Sequence, residues 1–174
     1  MSGKALGKNL LVLRLRGTVD VRDPVKKTLN QLHLKKKFRA TLLPDRPEIR
    51  GMLRLSKEYI AWSPVSSSVV SNLLKERGRK TGWNSLTVTD VKKMGFKNFT
   101  DMAKSLEKGD NTLSRIKDIK PYFSLPPPRG GFKRSTRRNY GQGGILGENP
   151  ELTSILEQML PAKKAKKKIS KKNS

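Results

Sequence analysis

Cysteine is absent from the 174 residues of the chain. That excludes disulfides, thiolate zinc sites and iron–sulfur clusters, and it suits a reducing compartment. Histidine occurs once, at His33, where a position at the end of a helix fits capping or packing better than base catalysis. Acids are scarce: 14 Asp and Glu stand against 39 Lys and Arg. They form no cluster with metal-ligand spacing, and no activating base lies near the Ser66-Ser67-Ser68 run. There is no Gly-Lys-Ser/Thr phosphate loop, and no Gly-x-Gly-x-x-Gly follows a strand. Apolar runs are short as well. Leu10 to Leu13 is ended by Arg14 and Arg16, far below the ~20 residues of a membrane span. No hydrophobic stretch near the N-terminus is long enough for a secretion signal. Together these absences predict a soluble cytoplasmic protein that is not an enzyme. No metal site, membrane span or small-molecule substrate is expected, with binding of the lysine tail to a membrane surface kept as a weaker rival reading of the charge.

What is present is positive charge, a formal net of +25. Self-repulsion on that scale opposes compaction, so such a chain belongs beside a polyanion. Hydrophobic residues make up 34% of it, below the ~45–50% usual for globular proteins. A core is expected, but not one spanning the whole chain.

The first region, 9–65, alternates strands and helices. Leu11, Leu13 and Leu15 share one face of a strand and Val12, Arg14 and Arg16 the other, which predicts a half-buried strand with a basic outer face. Gly17 ends it. Asp23-Pro24 starts a helix, Asp as cap and Pro in the first turn, with Val25, Thr28, Leu29 and Leu32 on its inner stripe. Phe38 to Leu43 predicts a second strand, Pro47 a second helix and Tyr59 to Ser63 a third strand. Two helices on one face of a three-stranded sheet make an α+β sandwich.

Region 66–120 predicts short amphipathic helices packed as a cluster on the first region. Ser66 caps one carrying Val69, Val70, Leu73 and Leu74. Thr89 or Asp90 caps another, Thr100 a third, and Leu113, Ile116 and Ile119 continue at spacing three. Region 121–148 changes character, with Pro126-Pro127-Pro128, Gly130-Gly131 and Gly143-Gly144 among basic residues and no acid before Glu148. It reads as a basic loop in which Gly141 to Gly147 supplies flexibility. Asn149-Pro150 opens a helix over 149–160, with Leu152, Ile155, Leu156 and Met159. Residues 161–174 hold seven Lys and no acid, which predicts a tail disordered until something anionic orders it.

Three segments carry the case for nucleic acid. Lys35-Lys36-Lys37-Phe38-Arg39, between helix and strand, is a phosphate-contacting edge or a solvated charge run. At Arg46-Pro47-Glu48-Ile49-Arg50-Gly51-Met52, a helix N-terminus offers free N–H groups and Arg50 a planar, phosphate-matching fork. Gly51 admits another backbone, permits tight packing onto the sheet, or does both. Between Pro126 and Gly144, Arg129, Lys133, Arg134, Arg137 and Arg138 are interleaved with Phe132 and Tyr140. Arginines meet phosphate and aromatics stack on unpaired bases, as RNA recognition requires. A flexible basic linker is the alternative, and Phe123 and Phe132 could tuck into the protein instead.

The stretch from Leu11 to Ser63 resembles the large-subunit ribosomal protein L-thirty family. The matching elements are Leu-Val-Leu-Arg-Leu-Arg-Gly at 11–17, the helix from Pro24, His33-Leu34-Lys35, Leu43-Pro44-Asp45 and Pro47 through Arg50-Gly51-Met52. Beyond it, Pro-Pro-Arg-Gly-Gly-Phe at 127–132 and the glycine-rich 141–147 resemble the longer branch of archaea and eukaryotes, and the length looks archaeal. The resemblance covers roughly residues 10–150. It implies a ferredoxin-like βαβαβ core, followed by a small helical region and an extended basic C-terminal arm. It also implies a structural role on large-subunit ribosomal RNA among neighbouring ribosomal proteins, without catalysis or cofactor and not as a homo-oligomer. Arg50, Gly51 and Met52 would face RNA, with the Lys35–Arg39 edge near them. A nucleoid-type or RNA-modifying protein is the competing reading of the same charge.

Overall fold

Leu10 and Val12 leave the first strand on one side and Leu11 and Leu13 on the other, and all four are buried. A strand built this way needs cover on both faces. The computed structural model of the chain, which describes residues 9–108 and 112–161, provides it. Strand β1 (Asn9–Arg14) lies inside a six-stranded sheet with β2 (Arg39–Pro44), β3 (Ile60–Pro64), β4 (Phe123–Ser124), β5 (Ser135–Asn139) and β6 (Gly144–Glu148). The order is β4-β2-β1-β3-β6-β5. β1 runs antiparallel to both neighbours, with Leu11 opposite Leu42 and Ser63. β4 is antiparallel to β2, β6 is parallel to β3, and β5 lies parallel to β6 in an irregular register.

Helices α1 (Asp23–Gln31) and α2 (Pro47–Leu55) cover one face. They enclose Leu10, Val12, Val25, Leu29, Leu32, Leu53 and Ile60. Helices α3 (Ser67–Arg77), α4 (Val88–Lys93), α5 (Phe99–Glu107) and α6 (Leu152–Met159) cover the other. There Leu11, Leu13, Leu73, Leu74, Met102, Leu106, Leu152 and Leu156 form the larger core. The chain is therefore α+β with the expected strand–helix–strand–helix–strand unit at its centre, closed into three layers by the helical extension.

Several local expectations are corrected. The first strand has no basic outer face: Arg14 is only 2% exposed, and Arg16 lies beyond the strand end. The sheet exceeds three strands because Phe123, Ile145 and Leu146 are buried, which draws 121–148 onto both sheet edges and not into a free loop. Gly144 is a packing residue, since a Cβ there would collide with the Arg138 carbonyl. Asp23 sits inside the first turn of α1 and caps nothing. Thr87 caps α4 through a capping box with Asp90, and α5 begins after Asn98. Leu113–Arg115 is a single 3-10 turn, and the spacing-three pattern does not continue as helix. His33 takes φ +60 just past α1, as a helix-ending residue does. The tail expectation for 161–174 lies outside the described residues except for Pro161.

Candidate nucleic-acid interface

The organiser of the lysine edge is Arg14. Its guanidinium is buried against backbone carbonyls: Nη1 donates to Leu34 O (2.7 Å) and Lys35 O (3.0 Å), Nε to Arg16 O (2.9 Å) and Nη2 to Gly17 O (2.8 Å). The Phe38 N–H donates to the Arg14 carbonyl at 2.8 Å. The loop between α1 and β2 is thus pinned at both ends, and it holds Lys35, Lys36 and Lys37 in solvent. Lys37 Nζ lies 4.7 Å from the Phe38 ring centre. Phe38 in turn stacks on Phe132, with centroids 6.1 Å apart and planes 24° apart. Lys133 and Arg134 follow Phe132 directly and border the same contact. Sequence positions almost a hundred residues apart are joined at one end of the sheet.

The outer edge there is β5, with Arg137 and Arg138 both exposed. Arg134 Nη2 donates to Glu151 Oε1 at 3.1 Å, and its guanidinium lies 5.0 Å from the Tyr140 ring centre. The Tyr140 hydroxyl donates to the same Glu151 oxygen at 3.4 Å. Arg129 stays exposed, and its N–H donates to Gln158 O at 3.2 Å. Phe123 is fully buried, so it serves the core and not RNA.

The α2 terminus is a separate place. Arg39 and Pro44 end the same strand β2, roughly 17 Å apart at the usual strand rise. The expected neighbourhood of the Lys35–Arg39 edge and Arg50 does not exist. Arg50 spends its fork on Asp45, with Nε to Oδ1 at 2.5 Å and Nη2 to Oδ2 at 2.7 Å. That pairing holds the Asp45 carboxyl below its ordinary pKa and raises the arginine's. Arg46 precedes the helix with extended backbone and remains exposed. Gly51 faces open space: nothing lies within 4 Å of where its Cβ would be. It does not serve packing onto the sheet.

Among the described residues, Lys80, Arg50 and Arg134 are the only basic side chains paired with a carboxylate. No group of His, Asp or Glu among them could hold a metal ion. No helix of theirs is long and apolar enough to cross a membrane.

The profile of the family described as Ribosomal protein L30p/L7e matches residues 10–60. A protein of Nitrosopumilus maritimus, named large ribosomal subunit protein uL30, is 39% identical over 151 residues, covering 87% of this chain and 97% of its own. The chain belongs to the L30p/L7e family. Family members of the same name from Cenarchaeum symbiosum and Archaeoglobus fulgidus are 40% and 38% identical, again across 97% of their length. These relatives cover most of the chain, in keeping with the resemblance read over roughly residues 10–150.

Sequence reasoning missed Arg14 as the organiser of the lysine loop. The available signal was an arginine inside an otherwise apolar strand. It also missed that Arg39 lies with its guanidinium 4.1 Å from the Tyr122 ring centre, a pairing no spacing rule reveals.

Proposed function

We infer that the chain is a structural constituent of the large ribosomal subunit, binding ribosomal RNA and stabilising its fold in assembly and translation. The observation that carries this is family membership across nearly the whole length of the relatives. The basic rim supports it: Lys35, Lys36, Lys37 and Lys133 gather at one sheet end, and Arg137 and Arg138 line the adjacent edge, none of them neutralised by a described carboxylate. Cations left unpaired within the fold are free to neutralise phosphates and let RNA helices approach each other. We assign Arg39, Arg46, Gly51, Arg129 and Tyr140 to the same interface. Arg50 and Arg134 join it as oriented groups that share their charge with Asp45 and Glu151. The protein acts there as a single copy among other ribosomal proteins, without chemistry of its own.

The test is fractionation on a sucrose gradient after a high-salt wash. Co-migration with large subunits is expected, and a chain that stays at the top of the gradient would defeat the proposal. A variant with Arg134, Arg137 and Arg138 changed together to Glu should incorporate poorly. Normal incorporation would remove this edge from the interface.

A further inference from the structure

One exposed feature is not absorbed by the rim. Trp83 is 52% exposed, in the turn between α3 and α4. Its backbone is left-handed at φ +68, next to Gly82 at φ +88. That conformation is unfavourable for a bulky residue, and about half of the indole is left facing solvent. The turn is nevertheless well built. Lys80 N–H donates to Asn84 O at 2.9 Å and Trp83 N–H to Lys80 O at 3.0 Å. It is laced to the segment before β4 by Thr81 N–H to Asp118 O (3.1 Å) and Lys120 N–H to Arg79 O (3.0 Å).

This lacing sets the indole among three other side chains. Tyr122 meets it edge-on, with centroids 6.2 Å apart and planes at 67°. Lys120 Nζ lies 3.8 Å from the indole ring centre, and the Arg39 guanidinium lies 4.1 Å from the Tyr122 ring centre. The result is a row of cation, aromatic, aromatic, cation, assembled from three chain segments. Lys80, the other basic group of the turn, is occupied by Asp90 at 2.9 Å.

We propose that Trp83, flanked by Tyr122, Lys120 and Arg39, is a stacking platform for an unpaired base of RNA. The ligand class follows from the chemistry. Cations at both ends repel cationic ligands and attract an anionic chain, while the open part of the indole offers a π surface to a flat group. Bases inside an A-form helix cannot present their faces to it, so the strand must be single at this point. The base lies on the part of the indole left open, and its flanking phosphates reach Lys120 and Arg39. This rests on the reading of the chain as an RNA-binding protein and adds a base-contacting site to a surface otherwise aimed at phosphates.

The test uses the full chain carrying Trp62→Phe, so that Trp83 is the only tryptophan. Hexaadenylate should quench its fluorescence, whereas inorganic polyphosphate of the same charge should not. Trp83→Gly relieves the turn and removes the ring. It should bind hexaadenylate about tenfold more weakly, within the range for losing one stacked base. The salt slope should stay unchanged, because every phosphate keeps its cation. Equal quenching by polyphosphate, or unchanged affinity in Trp83→Gly, would overturn the platform. If either occurs while the variant still binds large-subunit RNA, the platform alone fails. If the parent chain binds no RNA at all, the broader reading fails with it.

Discussion

At the residue scale, Arg14 and Gly51 show opposite solutions. Arg14 is buried with four donated hydrogen bonds, all to backbone carbonyls. A lysine has the charge but not the planar fork, so it cannot reach all four acceptors. Arg14→Lys should destabilise the protein by about 2 kcal/mol, as loss of hydrogen bonds to a charged group does. Urea denaturation with an unchanged m-value checks this. Stability within a few tenths of the parent would mean that the loop is held by other means. Gly51 sits exposed inside α2 with open space around it. Gly51→Ala should therefore raise the stability of the free protein by up to about 1 kcal/mol. Affinity for large-subunit RNA should fall, because the methyl occupies the approach path. A variant both more stable and equally tight would show that no backbone comes close there. Neither role is fully legible in the sequence. Periodicity assigns Arg14 to a solvent face because it does not show that the loop after α1 closes over the Val12 side of the strand, and it leaves both readings of Gly51 open.

At the element scale, α4 depends on its cap. Thr87 and Asp90 form a reciprocal pair in which Thr87 N–H donates to the Asp90 carboxylate at 3.0 Å, and Lys80 adds its ammonium at 2.9 Å. The Asp90 carboxyl lies at about 2 against its ordinary 3.8, held down first by the Thr87 hydroxyl and then by Lys80. A carboxyl depressed in the folded state contributes stability that is full above the unfolded pKa and is lost as pH falls toward the folded one. The loss belongs to the window between 3.8 and about 2. Asp90→Asn should lose less stability than the parent across that window, measured by denaturation at a series of acidic pH values. Identical acid profiles would remove the linkage. Sequence signals set the cap at Thr89 or Asp90, two or three residues late, because several Thr and Asp stand together at 87–90 and side-chain identity alone does not choose among them. The basic segment 121–148 escapes sequence reading for a related reason. Its few apolar residues are too sparse for a core of their own, yet Phe123, Ile145 and Leu146 fill one already built by others.

At the scale of the whole molecule, the decisive quantity is where charge is left unneutralised. Residues 1–65 carry 15 basic and 5 acidic groups, 66–119 carry 11 and 6, and 120–174 carry 13 and 3. The net charges are +10, +5 and +10, so the excess is least on the helical middle. RNA affinity should consequently fall linearly on a log–log plot against salt, with a slope reporting several neutralised phosphates. Changing Arg137 and Arg138 to Ala should make that slope shallower by roughly one unit for each phosphate that goes without its arginine. An affinity flat between low and physiological salt would contradict the electrostatic account. By itself the sequence determined the class of partner, through charge, and the central βαβαβ unit, through hydrophobic alternation and helix-start signals that act over a few residues. Tertiary structure alone decided which basic groups meet. The register of β2 set the Lys35 and Arg50 segments at opposite ends of one strand, and the stacking of Phe38 on Phe132 joined the segment of Lys37 to that of Lys133. The reason is that contacts between distant segments depend on sheet order and layer packing, and side-chain period carries no record of either.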